Sequence, residues 1–546
     1  MPRSLPVFLL LLLSAPLPAA AQDYLREMQS LAVSTRATSW AHWGPNHRAY
    51  SSWLSHSNRL IPLYSFGMDL KSVTGEKSLY RDESRIRELY DALPEETHNP
   101  KAEYCDQTDV YRLQEMAAKA GKKCIVLIVF DGMDWHTTRA AAIYKSQKLY
   151  SQGRGAGLHF LDYRNAPTDY GYFVAAPHSE GTKLNVDDQK ITGQGEIPGG
   201  YAYRLAGETP WSVPADPLYL IGKGQIRHAY PDSAATAAAM TTGRKTYNAA
   251  INVDPYGRPL LTIAHQLQEQ KYAVGVVTSV PISHATPACA YSHNVSRDDY
   301  QDLSRDLLGL PSISHPRQAL PGVDVLIGAG FGESKEKDGG QGKNFVPGNR
   351  YLTDADLKAC DVQHGGKYQV ALRTSGRAGL EVLTEGAQRA IAGKHRFFGY
   401  FGGPNGHLPF QTADGGYDPV PGMQDKDTVA KAEVYKPEDI AENPTLAQMT
   451  TAALEVLSSR SDKIWLMVEA GDVDWANHQN NLDASIGAVL SGDEAFKATT
   501  DWIEKHVGWD HAVVLLTADH GHYLVLDDPT ALLPPKEAEK SSTAAK

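Results

Sequence analysis

The chain has 546 residues, of which 42% are hydrophobic and 21% are charged, a composition typical of a globular enzyme. Its formal net charge of −11 argues against nucleic acid as a specific partner, because general nucleic-acid binding requires a basic face. The length accommodates one large α/β domain with insertions, or two to three separate domains.

The first 21 residues have the pattern of a secretory signal peptide. Arg3 gives a positive start, residues 5–13 form a short apolar core, and Ala19-Ala20-Ala21 forms a cleavage site before Gln22. The apolar core is too short for a stable membrane span. We therefore predict a periplasmic or extracellular mature protein with no membrane segment after cleavage; a retained anchor is the alternative.

The cysteines give little guidance on pairing. An oxidising compartment permits disulfides, but four cysteines allow three pairings. Two of them lie in apolar runs typical of buried thiols, and no C-x-x-C motif indicates a thiolate metal site. The four residues are Cys105, Cys124, Cys289 and Cys360.

Residues 22–120 form an N-terminal extension rich in tryptophan, tyrosine, histidine and arginine, as in the stretch 40–47. We interpret this extension chiefly as structural cover packed on the core, at a sheet edge; lining a pocket is the alternative.

The first clear strand signal is the continuous apolar run 125–130, which is typical of a buried parallel strand. It ends at Asp131. Open α/β sheets bind ligands at the carboxyl ends of their strands, so Asp131 is a candidate site residue. The stretch 153–203 is rich in glycine, tyrosine and proline, and we interpret it as a surface insertion.

The most informative stretch surrounds Ser233. Pro231 ends the preceding segment, and the small residues 234–240 favour a helix. Ser233 then lies at the first turn, where unpaired N–H groups and the positive end of the helix dipole favour a phosphate. The alternative is an Asp-Ser helix cap followed by an alanine-rich core helix.

Further strands and helices alternate along the rest of the chain. This pattern predicts an α/β fold: a large, mostly parallel central sheet with helices on both faces, an N-terminal extension and surface insertions. Residues 527–546 form a C-terminal tail. The predicted strands are 273–278, 323–328, 397–401, 464–468 and 512–517; the predicted helices are 260–270, 444–459 and 484–506.

Metal-ligand chemistry follows several of these strands. Because parallel strands end at one edge of a sheet, we expect these side chains to converge. Mixed carboxylate and imidazole ligands favour zinc, whereas oxygen ligands alone favour magnesium. Asp474 and His478 are four residues apart and share a face if their segment is helical. The candidates are Asp131, Thr286, Glu469, Asp474, His478, Asp519 and His520.

Five motifs resemble those of secreted alkaline phosphatases, in the same order. They are the nucleophile segment that begins at Asp232-Ser233, the strand end Phe130-Asp131, the pair of segments 284–288 and 296–297, the set Glu469, Asp474 and His478, and the pair Asp519-His520. The resemblance covers residues 121–526 and identifies them as an alkaline phosphatase-like catalytic domain.

The resemblance implies two zinc ions and one magnesium ion. Asp131, with Asp519 and His520, would hold one zinc beside Ser233, and Asp474 with His478 would hold the other. Asp131, Thr286 and Glu469 would hold the magnesium. His284 stands where some members have aspartate, a difference that favours a third zinc over magnesium.

The resemblance also implies the reaction. Ser233 would attack small phosphate monoesters and form a phosphoserine intermediate, while Arg297 would bind two phosphate oxygens through its planar fork. A zinc would stabilise the serine alkoxide, and the other would stabilise the leaving group. A homodimer is compatible with the family, although the contacts that would form it are in doubt here.

One feature departs from the family pattern. The zinc held by Asp474 and His478 normally takes a further histidine from well downstream, but no histidine follows His522. His522 usually supports a ligand carboxylate in this family. We expect the missing ligand to be His522 first, His407 second, or a histidine of the N-terminal extension such as His42 or His47.

Two other functions remain to be compared with a phosphomonoesterase. The first is a phosphodiesterase or sulfatase of the same superfamily; the segment after Ser233 lacks the C/S-x-P-x-R context of sulfatases. The second is a non-catalytic metal- or phosphate-binding relative that has lost a zinc ligand. Retention of Ser233, Arg297 and Glu469 argues against the second.

Overall fold

The computed structural model describes residues 24–403, 405–425 and 428–535. The predicted signal peptide, 1–21, and most of the predicted tail lie outside the described residues. In the described part, no helix combines the length and the apolar character needed to cross a membrane.

The centre of the fold is a ten-stranded sheet. We number its strands in chain order: β1 Ile61–Phe66, β2 Cys105–Asp106, β3 Cys124–Phe130, β4 Thr168–Val174, β5 Ala273–Pro281, β6 Val325–Ala329, β7 Tyr368–Leu372, β8 Arg396–Tyr400, β9 Ile464–Ala470 and β10 Ala512–Thr517. Their order across the sheet is β7-β8-β6-β5-β9-β3-β10-β1-β4-β2.

The strands from β7 to β10 in this order are all parallel to their neighbours. Strand β1 pairs antiparallel with both β10 and β4. All residues of β3, β5, β9 and β10 are buried, as expected of central strands that helices cover. The predicted fold class, a mostly parallel sheet with helices around it, is confirmed.

Helices surround the sheet and pack on one another in two groups. The 25-residue helix Leu482–His506 packs against Trp135–Ser146 and Leu446–Arg460, and the Ser233–Thr242 helix packs against Thr108–Lys119 and Ala285–Cys289. The remaining α-helices are Tyr24–Thr35, Glu83–Tyr90, His159–Asp162, Tyr203–Ala206, Ile263–Glu269, Tyr300–Leu308, Asp354–Cys360, Gly379–Gly393, Pro437–Ala441 and Asp472–His478.

In the part of the chain that the structure describes, four two-stranded sheets lie outside the central one. In the first, the N-terminal extension meets the end of the predicted catalytic domain. The pairs are Ala41–Trp43 with Leu524–Leu526, Ser179–Glu180 with Ile197–Pro198, Lys183–Asn185 with Lys190–Gly193, and Ser334–Lys335 with Gly348–Asn349.

Two segments contribute more to the sheet than the sequence predicted. The extension 22–120 supplies β1 and β2, so its role is not limited to covering the core. The stretch 153–203 supplies β4, so its interpretation as a surface insertion is wrong for that part. All three strands include polar residues, and they therefore lack the continuous apolar run by which β3 was recognised.

All four cysteines are free and buried. Burial raises the pKa of the Cys124 thiol to about 12, so this thiol is protonated near neutral pH.

Candidate active site

The helix that carries Ser233 is fixed at both ends. It begins at Ser233 and ends before Gly243, whose φ of 70° places it in the left-handed conformation typical of a helix C-terminus. Asp232 caps the start, its Oδ1 accepting the Ala235 N–H at 2.9 Å. Every residue of this helix is buried. The small side chains of the sequence let it pack deep in the protein, with the Ser233 hydroxyl at its first turn.

The first group of metal-ligand side chains adjoins this hydroxyl. Asp131 follows β3, while Asp519 and His520 follow β10. The Ser233 Oγ lies 3.1 Å from His520 Nε2 and 3.4 Å from Asp131 Oδ1. His520 Nε2 also lies 3.2 Å from Asp131 Oδ1 and 3.5 Å from Asp519 Oδ2. The ligand atoms of the three residues lie within 4.8 Å of one another, so they could share one metal ion.

The second group lies around Asp474. The helix Asp472–His478 follows β9, and it places Asp474 and His478 one turn apart. Asp474 Oδ1 lies 2.7 Å from His522 Nε2 and 3.4 Å from His478 Nε2. His520 Nε2 lies 3.8 Å from the same oxygen. The two groups are therefore adjacent, as convergence of the strand ends predicted.

The third group contains only oxygen ligands. Thr286 Oγ1 donates to Asp131 Oδ2 at 3.4 Å. Glu469, at the end of β9, accepts the Thr278 hydroxyl through Oε2. Its other oxygen, Oε1, is buried without a hydrogen-bond partner among the described residues. An unpartnered carboxylate oxygen in the interior is costly, and a bound cation would satisfy it.

The buried acids perturb one another. Burial raises the pKa of Glu469 to about 8, although the Thr278 hydroxyl opposes the shift. Burial, then the charge of Asp474, raises the pKa of Asp131, and burial, then Asp131, raises that of Asp519. Burial also opposes ionisation of Asp474, but the imidazoles of His478 and His522 outweigh it and lower the pKa. A cation bound among these buried carboxyl groups would offset the repulsion between their negative charges, so the cluster favours cation binding.

Arg297 supplies a positive charge at the start of the Ser233 helix, where it contacts the capping residue Asp232. Its Nη1 donates to Asp232 Oδ2 at 3.0 Å, and no other acceptor for this guanidinium is present among the described residues. Asp232 therefore orients the Arg297 side chain, and the other N–H groups of the guanidinium stay available for an anion.

The four histidines considered for the Asp474 group have different surroundings. Only His522 contacts Asp474. His407 Nε2 lies 3.0 Å from Glu433 Oε1, His42 Nδ1 lies 2.7 Å from Asp527 Oδ2, and His47 is exposed. Neither His407, His42 nor His47 joins the clusters of possible metal ligands found among the described residues.

The structure adds one residue that sequence reasoning missed, His56. Its Nε2 lies 3.1 Å from His478 Nε2 and 3.8 Å from Asp474 Oδ1, and its ring lies 3.8 Å from the ring of His520. His56 precedes β1 in the extension, in a loop without a recognisable motif. The sequence offered only the presence of histidines in the extension, and attention went to His42 and His47 instead.

His284, which the resemblance aligns with an aspartate of some family members, precedes Thr286 of the third group by two residues. Its ring contacts Trp475, with ring centres 5.6 Å apart. Burial, then the charge of Arg297, lowers the pKa of His284 to about 3. A neutral imidazole adds no negative charge near the oxygen ligands, unlike an aspartate.

Comparison with known proteins identifies the family of this chain. The alkaline phosphatase family model matches residues 222–382 and 406–536, which is more than half of the chain. Alkaline phosphatase 3 of Bacillus subtilis is 28% identical over 314 residues, covering 55% of this chain and 52% of that protein. The alkaline phosphatase of Escherichia coli K12 is 29% identical over 300 residues, covering 53% and 58%.

Streptomycin-6-phosphate phosphatase of Streptomyces griseus is 27% identical over 345 residues, covering 61% of this chain and 71% of that protein. Among solved structures, the alkaline phosphatase of Thermus thermophilus aligns with a TM-score of 0.45 at 20% identity, covering 73% of this chain and 60% of that one. The match spans about half the length of the first curated relatives. By the family match, this chain belongs to the alkaline phosphatase family.

Proposed function

We propose that this protein is a metal-dependent phosphomonoesterase that forms a phosphoserine intermediate on Ser233. The observation that carries the proposal is the position of the Ser233 hydroxyl. It is buried at a helix start, 3.1 Å from His520 Nε2 and 3.4 Å from Asp131 Oδ1, and Asp232, the cap of the same helix, holds Arg297. A nucleophile, a cation-binding cluster and an anion-binding guanidinium therefore adjoin one another.

The residues fit the metals that the family resemblance implies. The first and second groups combine carboxylate and imidazole, which suits zinc. The third contains only oxygen, including the unpartnered Glu469 Oε1, which suits magnesium. We assign two zinc ions to the first two groups and one magnesium to the third. When bound, these ions would neutralise the phosphoryl group and lower the pKa of a coordinated hydroxyl or water.

The residues of the chain then perform a two-step transfer. Arg297 binds two oxygens of the phosphate and holds phosphorus opposite Ser233. Ser233 Oγ loses its proton to solvent and bonds to phosphorus while the ester P–O bond breaks, and the leaving alkoxide takes a proton from water to become the alcohol. A water molecule then loses a proton to solvent and bonds to phosphorus while the bond between phosphorus and Ser233 Oγ breaks; Ser233 Oγ takes a proton from solvent, and inorganic phosphate leaves.

Small phosphate monoesters are the proposed substrates. Arg297 and the third metal group would bind phosphate oxygens that carry a second ester in a phosphodiester, and this favours a monoester dianion. The expected site of action, the periplasm or the medium, rests on the signal peptide and stays a prediction, as does a homodimer.

The test compares three substrates at equal concentration: p-nitrophenyl phosphate, bis-p-nitrophenyl phosphate and p-nitrophenyl sulfate. The proposal expects much the highest kcat/KM for the phosphate monoester. Preference for the diester or the sulfate would establish one of the alternative superfamily activities. Hydrolysis of none of them by zinc- and magnesium-loaded protein would favour a non-catalytic metal- or phosphate-binding relative.

A further inference from the structure

We propose that His56 is the third protein ligand of the metal ion held by Asp474 and His478. This inference rests on the proposed function, because it concerns one of its zinc positions. It assigns a metal-binding role to the N-terminal extension. Two protein ligands would hold zinc loosely, since catalytic zinc sites have three as a rule.

The hydrogen bonds of His478 define which of its nitrogens is free. Its Nδ1 lies 2.7 Å from the carbonyl oxygen of Leu54. A carbonyl only accepts hydrogen bonds, so Nδ1 is the donor in this contact, and in the neutral ring the lone pair is then on Nε2. A backbone carbonyl on the distal nitrogen is the arrangement that orients many metal-binding histidines. His478 is thus prepared to bind a metal through Nε2.

His56 directs its own nitrogen to the same point. Its Nε2 is 3.1 Å from His478 Nε2 and 3.8 Å from Asp474 Oδ1. The residue is only 8% exposed. Two imidazole nitrogens and one carboxylate oxygen that converge in this way form the three-ligand set of a catalytic zinc site, with a further position left for substrate or water.

His522 has a different role in this geometry. Its Nε2 is 2.7 Å from Asp474 Oδ1, a normal hydrogen-bond distance. A Cβ atom at Gly132 would lie 2.7 Å from the His522 ring, so this ring is packed tightly in place. We therefore infer that His522 orients the carboxylate of Asp474, and that His56 contacts the metal.

Hydrogen bonds hold the His56 loop against the segment that follows β10. The Ser57 N–H donates to the carbonyl of Gly521 at 2.7 Å. Arg59 Nη1 donates to the carbonyl of Leu524 at 2.7 Å, and β1 then pairs with β10. The position of His56 is therefore fixed relative to His520 and His522, although more than 450 residues of chain separate them.

The first experiment measures tightly bound zinc after gel filtration in His56→Ala, His522→Ala and the exposed control His47→Ala. We expect His56→Ala to lose one zinc and keep the other, His47→Ala to match wild type, and His522→Ala to recover full zinc when more is supplied. Circular dichroism and thermal unfolding check that each variant is folded. Full zinc in folded His56→Ala, held as tightly as in wild type, would overturn the inference.

The second experiment reads the ligand directly. Cobalt(II) bound to a thiolate gives a charge-transfer absorption band in the near ultraviolet. We expect this band in cobalt-loaded His56→Cys, and not in His47→Cys or wild type, whose native cysteines are buried. A cobalt-loaded His56→Cys protein without the band would count against direct contact. Wild-type protein that binds no zinc would instead contradict the proposed function itself.

Discussion

Replacing Arg297 by alanine tests how the site binds phosphate. The side chain is 17% exposed and, among the residues that the structure describes, forms one ion pair, with Asp232, so most of its N–H groups are available to an anion. Charge-assisted hydrogen bonds contribute about 1.5–3 kcal/mol each. Two of them, partly replaced by water in the variant, amount to about 3 kcal/mol, or roughly 100-fold in affinity.

We therefore expect the inhibition constant of inorganic phosphate and the KM of p-nitrophenyl phosphate to rise by roughly 100-fold, with a smaller loss in kcat. The reason is that Arg297 binds phosphate already present in the ground state. The fold should persist, because Asp232 keeps its hydrogen bonds from the N–H groups of Ala235 and Ala249, each at 2.9 Å.

The matched control for this variant is Arg305→Ala. Arg305 is 13% exposed and pairs with Asp302 and Asp356, which belong to none of the three metal groups. The Arg305→Ala variant should leave the inhibition constant of inorganic phosphate unchanged. An unaltered phosphate inhibition constant in metal-loaded Arg297→Ala would refute the assignment of Arg297 to phosphate.

Three further outcomes are expected. Ser233→Ala should lower turnover by roughly 10³-fold or more while retaining bound zinc; wild-type turnover would rule out a serine nucleophile. Removing metal with a chelator should lower the midpoint temperature of thermal unfolding, because the buried acids then repel one another. Adding zinc and magnesium should restore the midpoint. An unchanged midpoint would argue against stabilisation of the fold by these ions. Gly132 has a φ of 73°, so Gly132→Ala should lower the unfolding free energy by about 1–2 kcal/mol and displace His522, which weakens zinc binding. The control is Gly121→Ala, at a positive-φ glycine with open space around it, which should weaken zinc binding less. Equal zinc affinity in the two variants would show that the packing of His522 has no effect on the site.

The sequence predicted the parts of the fold that long apolar runs specify. Strands β3, β9 and β10 were identifiable because every one of their residues is buried, and strands buried on both faces have nearly continuous apolar sequences. The convergence of Asp131, Asp519 and His520 followed from the rule that parallel strands end at one edge. The serine helix was equally clear from its small residues and its cap.

The contribution of the N-terminal extension was not predictable in the same way. Strand β1 has six residues and pairs antiparallel with β10, a contact that depends on the rest of the sheet. His56 lies in a loop that is positioned by two hydrogen bonds. One runs from the Ser57 N–H to the Gly521 carbonyl, and the other joins the Leu54 carbonyl to His478 Nδ1. Neither periodicity nor spacing encodes such long-range contacts, so the residue that we propose as the third ligand of the second group emerged only from the structure.

The central claim is that Ser233 accepts the phosphoryl group, and the most direct measurement is to trap it there. The protein would be mixed with p-nitrophenyl phosphate, quenched in acid within the first turnovers, digested and analysed by peptide mass spectrometry. The account predicts one phosphorylated residue, Ser233, and no phosphorylation in Ser233→Ala. Rapid hydrolysis with no phosphate on Ser233 at any quench time, or with phosphate on another residue, would contradict it.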